Sequence, residues 1–212
     1  MKFALTIPAS FSAWPSLPER CKTAECTGIE LHRDVPLDIA RPLIDAGLHI
    51  ACITADTHFT GNASIDRSAA EVIKSTIEHA RHLSCHLIAI GDARPAGHES
   101  LLDTIAALAE WIAPLATQAA DAGITLTLEN GPTLAHARDL WTLIERIDHP
   151  GVGIAWNVSA TVAAGEPLAV AVPTLNSRIR YVRLENTDPT EPLIRLRGIG
   201  YQGWIAKNGE NG

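Results

Sequence analysis

The sequence predicts an α/β fold, a closed (β/α)8 barrel in which eight parallel strands alternate with helices. Eight short apolar runs recur along the 212 residues, and longer amphipathic patterns separate most of them. Apolar residues make up 46% of the chain, which excludes a disordered protein and is enough for one sizeable core. No linker-like or low-complexity segment interrupts the pattern, so we expect a single domain over residues 1–212.

The strand-like runs are short and mostly apolar, as is typical of parallel strands that are buried on both faces. In chain order they are Phe3 to Ile7, Gly28 to Leu31 with His32 at its end, Leu48 to Thr54, Cys85 to Ile90, Ile124 to Glu129, Val152 to Trp156, Ile179 to Leu184, and Gly203 to Ala206.

Three helices are predicted from apolar positions that repeat about every 3.6 residues. They are Ser64 to Leu83, Leu101 to Ala122, and Thr133 to Ile147. The segment Asp148 to Gly151 contains Pro and Gly and ends the third helix. An open doubly wound sheet is the alternative fold, but no Gly-rich phosphate loop follows the first strand.

The barrel is expected to be shortened at its C-terminal end. Few residues separate the seventh run from Gly203, so the seventh helix is predicted to be very short, and the last helix to be missing. The outer face of the eighth strand, around Trp204 and Ile205, would then be uncovered. Because exposed apolar patches promote association, this predicts a homodimer, or a partner chain that covers the eighth strand.

Composition argues against several classes of partner. The net charge is −7, the pI is about 5.7 and no basic run occurs, which disfavours nucleic-acid binding. No 18-residue apolar stretch or signal peptide is evident, so neither a membrane span nor membrane binding is expected. The cysteines form no CxxC pair, and we expect reduced thiols in a cytoplasmic protein; they are Cys21, Cys26, Cys52 and Cys85.

Polar side chains stand where the later apolar runs end. Glu129 ends the fifth run, Asn157 follows the sixth, Arg183 stands at the tip of the seventh, and Asn208 lies just after the eighth. Because the C-terminal strand tips of such barrels hold the chemistry, these residues are candidates for one shared site. We predict that Glu129 and Arg183 form an ion pair there, since a buried carboxylate needs a partner.

Three further residues are candidate ligand-binding groups. His32 and His58 lie just past the second and third runs and could face the mouth of the barrel, although a loop role is an alternative for both. Trp14 follows the first run and could stack on a sugar, or could equally belong to the core.

Several segments together resemble the xylose-isomerase-like TIM barrel superfamily, which includes sugar phosphate isomerases and epimerases and the type-two AP endonuclease fold. The segments that resemble its strands are Gly28 to Leu31, Leu126 to Asn130, His149 to Asn157, Arg180 to Leu184, and Gly200 to Ile205. The resemblance extends over nearly the whole chain and implies a TIM-type barrel.

The same resemblance implies a divalent metal ion held by two glutamates, an aspartate and a histidine. Only Glu129 is retained, because Asn157, Arg183 and Asn208 replace the expected aspartate, histidine and second glutamate. A guanidinium cannot ligate a metal ion, so we expect a degenerate metal site, with no metal and no other cofactor. A small slip in alignment would place Glu210 at the position of the second glutamate.

Two functional hypotheses follow. The first is a non-catalytic or metal-independent relative that binds a small polar, sugar-like ligand at the strand tips. The alternative is an active sugar isomerase or epimerase, in which Glu129 acts as the base and Arg183 stabilises the enediolate.

Overall fold

Eight parallel strands close into a barrel in the order in which they occur along the chain. The computed structural model describes residues 1–95, 97 and 100–208. The strands are β1 (Lys2–Thr6), β2 (Gly28–His32), β3 (His49–Thr54), β4 (Leu87–Ile90), β5 (Thr125–Glu129), β6 (Val152–Asn157), β7 (Ile179–Leu184) and β8 (Trp204–Asn208).

Helices connect the strands on the outside of the barrel. They are α1 (Leu17–Thr23), α2 (Leu37–Asp45), α3 (Ala63–His82), α4 (Leu101–Asp121), α5 (Ala137–Ile147), α6 (Val158–Ala163), α7 (Leu168–Leu175) and α8 (Thr190–Gly198). None of the helices in the described part of the chain is both long enough and apolar enough to cross a membrane.

Alternation along the strands decides which side chains enter the barrel. Small residues from five strands pack around Tyr181 inside it; they are Ala4, Cys52, Ala89, Ala155 and Ala206. Because side chains two residues apart share a face, Asn157 and Arg183 point inward above Ala155 and Tyr181. Glu30 also points inward, since it pairs with inward-facing Cys52 on β3.

The fold class and the eight strands predicted from the sequence are confirmed, with boundaries that shift by one or two residues. The third predicted helix begins at Ala137 rather than at Thr133. The backbone N–H groups of Thr133 and Leu134 instead donate to the carboxylate of Asp92, at 2.7 and 3.1 Å, which holds the β5–α5 loop outside the helix.

The outer wall at β8 is better covered than the sequence suggested. Ile205 is fully buried in the main apolar cluster, together with Leu17 of α1 and Leu196 of α8, so the expectation that Ile205 would be uncovered is wrong. A groove of about 890 Å³ remains beside it, lined in part by Leu5 and Leu184. A homodimer, or a partner chain at the eighth strand near Trp204 and Ile205, stays a prediction, but the buried side chain of Ile205 is not itself available to such an interface.

All four cysteines are free and buried, as the spacing in the sequence suggested. Burial raises the pKa of the Cys21 thiol to about 11 and that of the Cys85 thiol to about 12. Such thiols are poor nucleophiles, because the thiolate is the reactive form.

Candidate functional site

A guanidinium held between two carboxylates lies at the C-terminal end of the barrel. Nε of Arg183 donates to Oε2 of Glu30 at 3.1 Å, and Nη1 of Arg183 donates to Oε2 of Glu129. A further contact of 3.1 Å joins Nη2 to Oε1 of Glu30. The side chains of Arg183, Glu30 and Glu129 are 8%, 5% and 16% exposed, so both ion pairs are largely withdrawn from water. The predicted pair of Glu129 and Arg183 is therefore present, and it includes a third member.

Two neutral side chains complete this group. Nη2 of Arg183 donates to Oγ1 of Thr54 at 3.1 Å, and the Thr54 hydroxyl donates to Oε1 of Glu30 at 3.4 Å. Nδ2 of Asn157 donates to Oε1 of Glu129 at 2.9 Å. We call these five residues, Glu30, Thr54, Glu129, Asn157 and Arg183, the Arg183 cluster.

The tips of β5 and β6 are fixed by amide contacts. Oδ1 of Asn130 accepts from the backbone N–H of Asn157 at 2.7 Å, and its Nδ2 donates to the Asn157 carbonyl at 2.9 Å. Oδ1 of Asn157 accepts from the backbone N–H of Ala160 at 3.1 Å and so caps α6. An asparagine at position 157 therefore has a local role in starting a helix as well as its contact with Glu129.

Electrostatics inside the cluster favour a charged arginine. Burial by itself lowers the pKa of Arg183, but the charges of Glu30 and Glu129 outweigh it and hold that pKa well above its ordinary value. Below the cluster, burial and the charge of Glu30 raise the pKa of the Tyr181 phenol well above its usual range. The cluster thus contains two carboxylates and one permanent cation that are largely withdrawn from water.

Glu185 comes directly after β7 and adds a third acidic residue near the Arg183 cluster. The charges of Arg183, Glu30 and Glu129 all act on its carboxyl. Its backbone carbonyl accepts from the hydroxyl of Ser159 at the start of α6. Burial raises the pKa of the Glu185 carboxyl, and the nearby Arg183 only partly opposes that shift.

His32 forms a second polar group at the tip of β2. Its Nδ1 lies 3.3 Å from Oδ2 of Asp34, and its Nε2 lies 3.5 Å from Oδ2 of Asp56. The imidazole is 16% exposed, whereas the two aspartates are 62% and 77% exposed. His32 therefore lies at the rim, two residues beyond Glu30 on the same strand face.

The structure does not connect the other candidate residues to the Arg183 cluster. Trp14 packs edge-on against Phe11, with 5.1 Å between ring centroids, and lies against the apolar core. Nδ2 of Asn208 donates to Oδ1 of Asn186 at 3.4 Å. His58 is half-buried and lies beside Gly91 at the end of β4. Glu210, the suggested substitute for a strand-eight glutamate, falls outside the described residues.

The donor set of the cluster does not fit a divalent metal ion. The guanidinium of Arg183 is bonded to both Glu30 and Glu129, and it brings a positive charge to the point where their oxygens converge. Within the described ranges, no group of three or more His, Cys, Asp or Glu side chains is arranged to hold a metal ion. A metal ion would have to displace Arg183 from both carboxylates.

Sequence comparison places the chain in a known family. The xylose isomerase-like TIM barrel family matches residues 18–201, which is most of the chain. The chain belongs to this family. A search of curated proteins gave no significant match.

Solved structures share the fold at low sequence identity. The 3-keto-D-glucoside 4-epimerase YcjR from E. coli superposes with a TM-score of 0.84 at 16% identity, over 98% of this chain and 91% of that one. A D-psicose 3-epimerase, solved in the presence of D-fructose, gives 0.82 at 15% identity, over 98% and 84%. The IOLI protein, solved with a bound zinc atom, gives 0.81 at 13% identity, over 98% and 88%. At these identities the likeness establishes the fold alone.

Sequence reasoning missed three residues around this site: Glu30, Thr54 and Glu185. Glu30 had a usable signal, because it is a lone carboxylate inside the apolar run Gly28 to Leu31 and shares its strand face with His32. A charge at such a position must be paired inside the barrel. Thr54 and Glu185 carried no comparable signal, since their roles depend on which strands meet across the barrel.

Proposed function

We propose that this chain is a metal-independent member of the family that binds a small polar, sugar-like ligand at the C-terminal mouth of the barrel. The observation that carries the proposal is the Arg183 cluster. A cation supplied by the protein stands between Glu30 and Glu129, so these carboxylates are held in place without a metal ion.

The cluster has the chemistry to bind hydroxyl and carbonyl groups. A guanidinium has five N–H donors. Arg183 makes three hydrogen bonds, to Glu30, Glu129 and Thr54, and its Nη2 also lies 3.1 Å from Oε1 of Glu30. The one remaining N–H, on Nη1, can serve a ligand oxygen, while the carboxylates accept from ligand hydroxyls. Two of the structural neighbours are described as sugar epimerases, which supports a sugar-like ligand.

Binding without catalysis is favoured by the way Glu129 is engaged. One of its oxygens accepts from Arg183 and the other accepts from Asn157 at 2.9 Å. A general base must be within hydrogen-bond reach of the proton that it removes. Glu129 would have to give up one of these partners to act as a base.

The alternative function is a metal-independent sugar isomerase or epimerase. One observation favours it: Arg183 and Glu129 are in direct contact, so a base and a fixed cation are next to each other. A preorganised cation can stabilise the oxyanion that forms when a proton next to a carbonyl is removed.

Calorimetric titration with D-fructose, D-psicose and D-tagatose tests the proposal, using protein treated with EDTA and the same protein with added Mn²⁺. We expect binding that is the same in both conditions. Arg183→Met should weaken it by about tenfold or more, because charge-assisted hydrogen bonds to the ligand are lost. Arg195→Met is the matched control, since Arg195 is an exposed residue of α8 that pairs with Glu191.

Three outcomes separate the hypotheses. Binding that requires Mn²⁺ would contradict the metal-independent site. Equal binding by the wild-type protein and Arg183→Met would remove Arg183 from the site. Exchange of the ketose proton next to the carbonyl in deuterated water, lost in Glu129→Gln, would establish the isomerase alternative instead.

A further inference from the structure

The turn that ends α1 brings two of the four cysteines together. The backbone N–H of Cys26 donates to the carbonyl of Cys21 at 2.8 Å. Inside this turn, the N–H of Glu25 donates to the carbonyl of Lys22 at 3.1 Å, and Glu25 has a left-handed φ of 55°. These features define a Schellman motif, in which the side chains of the first and last residues commonly pack together. Here those two residues are Cys21 and Cys26.

The backbone geometry of this turn is compatible with a disulfide. A disulfide requires α-carbons that are about 4.4–6.8 Å apart. With standard bond lengths, the 2.8 Å hydrogen bond limits the α-carbons of Cys21 and Cys26 to a separation of at most about 6.7 Å. Burial first, and the charge of Cys26 second, raise the pKa of the Cys21 thiol to about 11. Because such charge effects weaken with distance, this one agrees with two thiols that lie close together.

The groove beside β8 reaches the same turn. Thr23 and Ala24, which lie between the two cysteines in the sequence, line this groove together with Lys207. Cys26 is 5% exposed, whereas Cys21 is fully buried. Burial raises the pKa of the Cys26 thiol, and the positive charge of Lys207 partly opposes that shift. Cys26 is therefore the thiol that a reagent in the groove meets first.

We propose that Cys21 and Cys26 are an oxidative modification site, which forms a reversible disulfide by exchange with a small soluble disulfide. The Cys26 thiol releases its proton, and its thiolate attacks one sulfur of the small disulfide, so that a mixed disulfide forms and one small thiol leaves. The Cys21 thiol then releases its proton and attacks the Cys26 sulfur, and the second small thiol leaves. The two protein thiols together lose two electrons and two protons, and the small disulfide gains both.

The position of the two thiols, rather than their reactivity, favours this disulfide. Burial raises the pKa of both thiols, so the exchange is slow. The turn nevertheless holds Cys21 next to Cys26 in the folded protein, which gives the second step a high effective concentration. The mixed disulfide should therefore not accumulate. The product would link the last turn of α1 covalently to the segment that leads into β2.

Differential labelling of the full chain tests this proposal. The protein is equilibrated at about pH 8 with oxidised glutathione or with dithiothreitol and quenched with acid; its remaining thiols are then labelled with iodoacetamide in urea. Peptide mass spectrometry should show that oxidised glutathione lowers the labelling of Cys21 and Cys26 by about tenfold or more, and that dithiothreitol restores it. Cys52 and Cys85 are the internal control, because they are equally buried but share no backbone turn, and they should stay labelled.

Cys21→Ser separates the two steps, because the mixed disulfide then has no second thiol to resolve it. This variant should accumulate a glutathione adduct at Cys26, and the wild-type protein should not. A persistent adduct on wild-type Cys26, or full labelling of both cysteines in oxidised glutathione, would overturn the proposal. Equal loss of label from Cys52 and Cys85 would also overturn it, since the turn would then confer no preference. The labelling of the wild-type protein decides the matter even if Cys21→Ser does not fold.

Discussion

Two groups of similar composition stand at the same end of this barrel, and they differ in their access to water. In the Arg183 cluster, a basic side chain lies between Glu30 and Glu129, with contacts of 3.1 Å or less, and all three are at most 16% exposed. At the rim, His32 lies between two aspartates at 3.3 and 3.5 Å, and those aspartates are mostly exposed.

The two groups are expected to differ in their contribution to the free energy of unfolding because they differ in burial, not because they differ in composition. A pair of exposed charges contributes about 0–1 kcal/mol, because water and salt already screen them. Breaking a buried pair by removing one partner costs about 3–5 kcal/mol, since an uncompensated charge is left inside. We therefore expect the Arg183 cluster to hold the barrel end together and the His32 group to contribute little to the free energy of unfolding.

The largest predicted effect is that of Arg183→Leu. This change leaves both Glu30 and Glu129 buried without a counter-charge, so the free energy of unfolding should fall by ~3 kcal/mol or more. Urea denaturation at neutral pH measures it. Arg195→Leu, which breaks an exposed pair on α8, should cost less than ~1 kcal/mol. If Arg183→Leu lowered the free energy of unfolding by less than ~0.5 kcal/mol, the ion pairs of Arg183 would be no more stabilising than the exposed contacts of His32.

The second prediction asks whether Arg183 stands in place of a metal ion. Arg183→His combined with Asn157→Asp gives the ligand types that the family resemblance implies at these positions. We expect Mn²⁺ to stabilise this double variant by about 2.7 kcal/mol at a hundredfold excess over its dissociation constant. Thermal unfolding with and without Mn²⁺ measures the effect, with the wild-type protein and Asn157→Asp as controls.

A stabilisation of the wild-type protein by Mn²⁺, similar to that of the double variant, would contradict the role of Arg183 as the resident cation. Failure of the folded double variant to respond would show that the carboxylates of Glu30 and Glu129 are not positioned for a metal ion even when the guanidinium is gone.

Local patterns in the sequence predicted most of the fold. Short apolar runs and helical periodicity located the strands and the long helices, because both depend on residues close together in the chain. The pair of Glu129 and Arg183 was also predictable, since both stand at strand tips that parallel pairing brings to one end of the barrel.

Other features depended on contacts between distant parts of the chain. The partnership of Glu30 with Arg183 joins residues 153 positions apart, across the interior of the barrel. The start of α5 is delayed by Asp92, which comes from the loop after β4, one strand earlier. The burial of Ile205 depends on apolar packing that includes residues of α1 and α8. Sequence periodicity does not encode any of these.

The third prediction concerns Glu185, which comes directly after β7 and whose carboxyl is influenced by the charges of the Arg183 cluster. Because its pKa is raised in the folded state, the folded protein binds more protons than the unfolded chain as pH rises from the unfolded pKa to the folded one. The contribution of Glu185 to stability is therefore present at acidic pH and is lost as pH rises through that window. Glu185→Gln removes the ionisation, so the free energy of unfolding of this variant relative to the wild-type protein should increase as pH rises above about 4.3, the ordinary pKa of a glutamate.

Urea denaturation at several pH values measures this difference, with Glu191→Gln as the exposed control. A stability difference between Glu185→Gln and the wild-type protein that decreases with pH would show that Glu185 is stabilised as a carboxylate. Glu185 would then belong with the paired acids of the Arg183 cluster.

The smallest predicted effect is that of the His32 group. A double-mutant cycle between His32→Gln and Asp56→Asn isolates their coupling from the other changes that each substitution makes. We expect a coupling of about 0.2–1 kcal/mol, because Asp56 is 77% exposed and the separation of 3.5 Å is long for an ion pair. The coupling should shrink further in 1 M salt, where the screening length is about 3 Å. A coupling of about 3 kcal/mol that does not change with salt is what we expect for the buried pair of Arg183 and Glu129. If the His32 group showed it, the arrangement of the charges rather than their burial would determine the interaction free energy in both groups.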